Sequence, residues 1–160
     1  MISVRSFLPK DAEGVVSLIL SIQREEFGIP VTLTDQPDIA DIPAFYQRDA
    51  GNFWVALRDG LVIGTIALLD IGNRESALRK MFVASSYRGA GHGVAKYLLD
   101  TLLSWSRVHD MHLIYLGTTD RFLAAHRFYE KNGFREIGYA ELPNSFPIMK
   151  IDSKFYVKAP

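Results

Sequence analysis

From Ala77 to Trp105 the chain reads ALRKMFV, then ASSYRGAGHG, then VAKYLLDTLLSW. A strand-like run feeds glycines at alternate positions, Gly89, Gly91 and Gly93, and these open a helical run with Val94, Tyr97, Leu98, Thr101, Leu102 and Trp105 on one stripe. A helix N-terminus offers four backbone N–H groups without intrahelical partners and the positive end of a dipole. Removing Cβ atoms ahead of it lets an anion approach those groups, and Arg88 adds a charged fork of donors. The segment fits a phosphate cradle; glycine spacing alone fits a flexible turn as well. Two other phosphate motifs fit poorly. A P-loop needs Lys-Ser or Lys-Thr after its last glycine, and the dinucleotide fingerprint meets Val94 where its third glycine belongs.

The flanking pattern sets the fold class. ISVRSFL alternates as a half-buried strand, and Pro9 opens a helix with Ala12, Val15, Val16, Ile19 and Leu20 on one face. Gly28, Pro30 and Pro37 break the following stretch, with a short helix predicted over Pro37 to Tyr46. NFWVALRDGLVIGTIALLDI reads as a hairpin turning at Asp59-Gly60, and HLIYLG as a buried strand. DRFLAAHRFYEKNGF is a helix with Asp120 as N-cap and Asn132-Gly133 as its stop. FREIGYAEL and FPIMKIDSKFYVK close the chain as two more strands. Strands and helices alternate without a repeat or linker, so 160 residues are expected to form one α/β (α+β) domain over 1–160.

Composition removes several function classes. Eighteen basic residues balance eighteen acidic ones, which argues against a nucleic-acid surface. The absence of cysteine removes disulfides, thiolate nucleophiles and Cys-ligated zinc. His109 and His112 are too few ligands for a metal, so no metal is expected. No apolar run approaches the length of a membrane span and MISVRSFLPKDAEG lacks signal-peptide features, so no membrane partner and a cytoplasmic location are expected.

RGAGHG matches the R/Q-x-x-G-x-G/A signature of the GNAT superfamily of N-acetyltransferases at Arg88, Gly91 and Gly93. The strand LRKMFV upstream and AAHRFYEKNGF downstream, with Tyr129 and Gly133-Phe134, resemble that superfamily's flanking motifs, and the order of elements agrees along nearly the whole chain. The resemblance implies a central, mixed, mostly antiparallel twisted sheet of about seven strands flanked by about four helices, with a splayed central strand pair. It implies acetyl-CoA as co-substrate, its diphosphate against Arg88, Gly89, Ala90, Gly91, His92, Gly93 and Val94. It also implies main-chain pairing of the pantetheine arm with Met81, Phe82 and Val83. Thr118, Phe122, Ala125, Phe128 and Tyr129 complete the implied cofactor site. Phe122 stands where many members carry Asn, and no Glu lies within SALRKMFV, where many members have one.

The family reaction is attack of an amine on the acetyl thioester through a tetrahedral intermediate. An amine resembling Lys is neutral in only about one molecule in 2,500 at pH 7, worth roughly 4.6 kcal/mol, so a base helps. Glu25, Glu26 and Glu75 are the candidates, each weighed against being a solvated surface carboxylate. Tyr129 is the implied proton donor to the leaving thiolate, against a packing role beside Phe122 and Phe128; His126 tunes it or packs. The oxyanion falls to a main-chain N–H of the Met81 to Val83 strand.

The acceptor stays open. Glu25, Glu26, Asp35, Asp38 and Asp41, opposed by Arg24, favour a cationic amine if their segment lines the pocket, while Arg79 and Lys80 suit a carboxylate. A small cationic or amino-acid-like amine leads, with a protein Lys or N-terminal amine as the alternative. A non-catalytic acyl-CoA sensor and a nucleotide-binding protein are the competing classes. The aromatic strand KFYVK is compatible with a homodimer.

Overall fold

Seven strands form one sheet in a computed structural model that describes residues 1–89 and 91–160. They are β1 (Ile2–Ser6), β2 (Asn52–Arg58), β3 (Leu61–Gly72), β4 (Glu75–Val83), β5 (Leu113–Thr118), β6 (Arg135–Ile137) and β7 (Lys154–Lys158). Their order is β1-β2-β3-β4-β5-β7-β6, and every pairing is antiparallel except β4 with β5. The described α-helices are α1 (Ala12–Ser21), α2 (Pro37–Ala40), α3 (Ile42–Phe45), α4 (Val94–Val108) and α5 (Leu123–Lys131).

The central strands read as continuous apolar runs because both sheet faces are covered. On one face α4 and α5 pack with Trp54, Ile66, Leu68, Leu78 and Ile114. On the other, Val15 and Ile19 of α1 and Ile39 and Ile42 of α2 and α3 pack with Phe53, Val55, Ala67 and Ala77. The hairpin turns where expected: Asp59 (φ 51°) and Gly60 (φ 79°) both take left-handed backbone, the requirement of a tight two-residue turn matched to strand twist.

Several elements depart from the sequence pattern for identifiable reasons. Pro43 has no N–H to bond back to residue 39, so the helix expected over Pro37 to Tyr46 is two pieces, the second capped by Asp41 Oδ1 accepting from the Ala44 N–H at 3.3 Å. The buried stripe of α4 is rotated, with Leu98, Leu99, Leu102 and Leu103 inside and Tyr97 exposed. Asp120 does not cap α5, whose N-cap is Phe122, whereas Asn132 and Gly133 (φ 92°) do end it. The last two strands are much shorter than expected. Beyond Ile137 comes a tight helical turn at Tyr139–Glu141, and Phe146 to Ser153 is loop. β7 (KFYVK) pairs with β5 on one side and β6 on the other, so it is not an edge open to a second copy.

The feature that shapes the site is the β4–β5 pair. Their parallel ladder covers only Glu75–Leu113, Ser76–Ile114 and Ala77–Tyr115, after which the strands part. β4 stays paired with β3 as far as Val83, and β5 with β7 as far as Thr118. The cause lies in β4. Between Ala67↔Arg79 and Thr65↔Phe82 the strand carries one surplus residue, a bulge centred on Lys80 (φ 52°). Such a bulge bends its strand and re-aims side chains. The hydroxyl of fully buried Thr65 donates to the Lys80 carbonyl at 2.7 Å and holds it.

Candidate active site

The opened slot is a cleft of about 1810 Å³, larger than the roughly 300–1,000 Å³ common for one small ligand. Its walls are Leu78–Val83 of β4 and Leu116–Thr118 of β5, with the glycine loop and α4 at one end. The loops that lead into and out of α2 and α3, and the Phe146–Asp152 loop, close the other end.

At the loop end, Gly93 is the N-cap of α4 in left-handed conformation (φ 69°), and no side chain caps the helix. Gly89 is also left-handed (φ 98°), a backbone that disfavours side chains. A Cβ at Gly89, Gly91 or Gly93 would meet no atom of the described residues within 4 Å, so the bareness leaves open surface rather than relieving a packed contact. The surface fits a diphosphate: a bare loop, an uncapped helix start and one guanidinium. That guanidinium is not idle. Arg88 Nε donates to the Val83 carbonyl at 2.8 Å, and its two terminal nitrogens donate to the Glu26 carboxylate at 2.5 and 2.9 Å. His92 stands edge-on to Tyr87, and Ala90 lies outside the described residues.

Along the slot, Met81, Phe82 and Val83 lie on the edge of β4 that no neighbouring strand covers, so their outward main-chain groups need another partner. Opposite stand Thr118, and Ala125, Phe128 and Tyr129 of α5. Tyr129 is buried against Phe128 and Phe134, and burial pushes its phenol well above the ordinary value. His126 does not reach it: its Nε2–H donates to the Thr119 carbonyl at 2.8 Å, tying α5 to the end of β5. Phe122 stacks on Phe27 with ring centres 4.5 Å apart, so the rings join the two walls of the cleft.

The bulge determines the charge at the far end. Strict alternation would put Arg79 and Lys80 on opposite faces; instead both point toward Asp38. Lys80 Nζ donates to Gln36 Oε1 at 2.7 Å and lies 3.4 Å from Asp38 Oδ2, while the Arg79 guanidinium lies 3.9 Å from that oxygen and over the rings of Phe45 and Tyr46. Asp38 also accepts from the Tyr46 hydroxyl at 2.6 Å. Burial pulls the Lys80 ammonium below its usual range, with Asp38 acting in the opposite sense.

Apart from Asp38, the carboxylates of the acidic segment are taken up by other protein groups. Glu25 accepts from the Ser21 hydroxyl, Glu26 is paired with Arg88, Asp35 accepts from the Thr32 N–H, and Asp41 caps α3. Glu75 accepts from the Tyr115 hydroxyl at 3.2 Å, where β4 and β5 are still paired, outside the cleft lining. Two arrangements were invisible in the sequence: the bulge that co-locates Arg79 and Lys80, and the Phe146–Asp152 loop, whose alternation reads as strand. The positive φ that gives the bulge away belongs to a lysine, not a glycine.

Residues 17–134 match the family model described as Acetyltransferase (GNAT) family. Over the whole length, the chain superposes on an acetyltransferase of GNAT family from Staphylococcus aureus Mu50 with a TM-score of 0.93, at 39% identity and covering 99% of each chain. The chain belongs to the GNAT acetyltransferase family. A second relative of known structure, an acetyltransferase from Streptococcus agalactiae 2603, gives a TM-score of 0.92 at 30% identity, covering 99% of this chain and 98% of that one. Among curated proteins, N-acetylaspartate synthetase of Xenopus tropicalis is 40% identical over 108 residues, 65% of this chain and 38% of the relative. This chain thus spans little more than a third of that relative. The family is one of acetyltransferases. Among the described residues no helix is long and apolar enough to cross a membrane.

Proposed function

We propose that this chain acetylates the amine of a small amino-acid-like molecule, with 1–160 acting as one acyltransferase domain. The observation that carries the reading is the Lys80 bulge, which turns two adjacent cations, Arg79 and Lys80, to one side of the cleft. Asp38 offsets one of the two charges, leaving a net positive site for an acceptor carboxylate. The likeness to N-acetylaspartate synthetase, named for an amino-acid product, supports the same class.

Acetyl-CoA supplies an activated acetyl thioester. The main chain of Arg88, Gly89, Gly91, His92, Gly93 and Val94 and the N-terminus of α4 would hold its diphosphate, and the uncovered edge of Met81 to Val83 would align the arm that carries the thioester. An N–H of that edge would serve as a preorganised donor to the oxygen on which charge develops. The Tyr129 hydroxyl, kept protonated by burial, donates a hydrogen bond toward the sulfur as its charge grows. A thiol near pKa 8.5 is the stronger acid, so sulfur leaves as thiolate and draws its final proton from water.

The test is thiol release from acetyl-CoA against a panel of amino acids (aspartate and glutamate among them), polyamines, aminoglycosides and peptides. Amino acids should be the best acceptors, and Arg79→Met should raise KM for carboxylate-bearing amines while sparing the others. Preference for polyamines or for a peptide amine would refute the acceptor class.

A further inference from the structure

The three glutamates singled out in the sequence lie at the Arg88 pair (Glu26), exposed on the helical turn Ile22–Glu26 that follows α1 (Glu25), or where β4 and β5 are still paired (Glu75), so none of them faces an acceptor beside Arg79. Asp152 does. Its loop lines the cleft, and its carboxylate lies flat against Gly117 of β5, where an added Cβ would fall 2.6 Å from Oδ2 and 3.2 Å from Oδ1. Gly117 and Arg79 are each two residues past the last paired couple, Ala77 and Tyr115, so they stand level where the strands part. Arg79 also reaches this loop, with a guanidinium nitrogen 3.5 Å from Met149 Sδ.

The carboxylate is held in place. Asp152 Oδ2 accepts from the Met149 N–H at 2.9 Å, and the Asp152 N–H donates to the Met149 carbonyl at 3.0 Å, closing a turn. The next residue pins that turn to the end of β5: the Ser153 N–H donates to the Thr118 carbonyl at 2.8 Å, and the Ser153 hydroxyl accepts from the Asp120 N–H at 3.0 Å. Oδ1 has no hydrogen-bond donor among the described residues, and no cation among them lies within the 4.0 Å of an ion pair.

We propose that Asp152 receives the ammonium of the acceptor and takes its proton, with Gly117 kept bare to make room for the carboxylate. This rests on the reading of an amino-acid-like acceptor given above, whose carboxylate goes to Arg79 and Lys80; the two charges of one zwitterion are then read by two walls of the same slot. The ammonium gives one proton to Asp152, the neutral nitrogen forms the C–N bond to the thioester carbon, and the C–S bond breaks as the tetrahedral adduct collapses. Nitrogen sheds its second proton, sulfur gains one, and Asp152 returns its own to water, so each turnover releases one net proton. Independently, burial raises the Asp152 carboxyl above the usual carboxylate range, against the Met149 N–H and the charge of Arg79, which moves it toward the strength a general base needs.

The experiment compares wild type, Asp152→Asn and Gly117→Ala by thiol release with the best amine of the panel, by calorimetry with coenzyme A and by thermal melting. Asp152→Asn should lower kcat/KM by at least about 100-fold with the coenzyme A Kd within about twofold, the range of a general base. The loss should shrink along a series of acceptors of falling basicity, which need less help to lose a proton. Gly117→Ala, which keeps the carboxylate but displaces it, should cost at least about tenfold. Asp152→Asn turnover within about threefold of wild type, or a loss independent of acceptor basicity, would overturn the assignment and leave the acceptor class standing. Wild-type preference for amines without carboxylates, with the Asp152→Asn loss intact, would sink the acceptor class and leave Asp152 standing. Absence of thiol release with every amine would overturn both.

Discussion

Removing Glu26 should tighten the grip on coenzyme A. In the free protein the Glu26 carboxylate takes both terminal nitrogens of Arg88, the guanidinium beside the glycine loop. A diphosphate that claims those donors must first displace Glu26. The two side chains are 40% and 33% exposed, so solvent screens the pair and it is worth about 0.5–1 kcal/mol despite its forked geometry. With RT near 0.59 kcal/mol, that cost corresponds to a factor of about 2–5 in affinity. Calorimetric titration of Glu26→Gln with coenzyme A should therefore give a Kd lower than wild type by that factor, with the difference narrowing as salt rises. Arg88 keeps its bond to the Val83 carbonyl in either protein, so the guanidinium stays where it is. A Kd that rises in Glu26→Gln would refute the reasoning, because it would mean that the carboxylate orients Arg88 for the ligand rather than competing with it.

Tyr129→Phe should lower kcat by about 10–100-fold, the worth of one hydrogen bond to a charged sulfur, with coenzyme A affinity unchanged by calorimetry; unchanged turnover would remove the hydroxyl from the chemistry. Gly91→Val places a side chain where no protein atom lies within 4 Å, so the melting temperature should hold while the coenzyme A Kd rises at least about tenfold, since the new atoms stand where main chain and phosphate must meet. Asp11→Asn should destabilise the fold by about 1–3 kcal/mol in urea titrations at pH 7. Burial opposes the charge of Asp11, but Arg5 at 2.7 Å and the Leu8 N–H outweigh it and hold the carboxyl below its ordinary value. A carboxyl lowered by folding stabilises above its unfolded pKa, so the gap between mutant and wild type should close as pH falls from about 4 through the lower native value.

What the sequence disclosed depended on how local its cause was. The Asp59-Gly60 turn and the stop at Asn132-Gly133 are written in residues adjacent to the feature, and both stand where the pattern puts them. The mixed, mostly antiparallel character of the sheet and the parting of β4 from β5 came only through family resemblance, and the order β1-β2-β3-β4-β5-β7-β6 was not legible, since hydropathy cannot tell which strands become neighbours. The Phe146–Asp152 loop has a strand's alternation but no strand; its apolar side chains face a cleft instead of a ladder. Glu26 and Arg88 lie 62 positions apart, and neither residue advertises the other. The bulge had no turn-forming residue to mark it, because Thr65 holds a lysine in a conformation usually left to glycine.

That surplus residue in β4 ties the two roles proposed for the strand, holding the acceptor and aligning the thioester arm, into one peptide. Deleting a single position there would restore strict alternation and swing Met81, Phe82 and Val83 to opposite sides in the same stroke that separates Arg79 from its neighbour. Choice of acceptor and alignment of the thioester arm would then change together, so drift in this family member has little freedom to explore one without disturbing the other. New acceptors are more easily reached by rewriting the loops that face the bulge than by editing the strand that carries it.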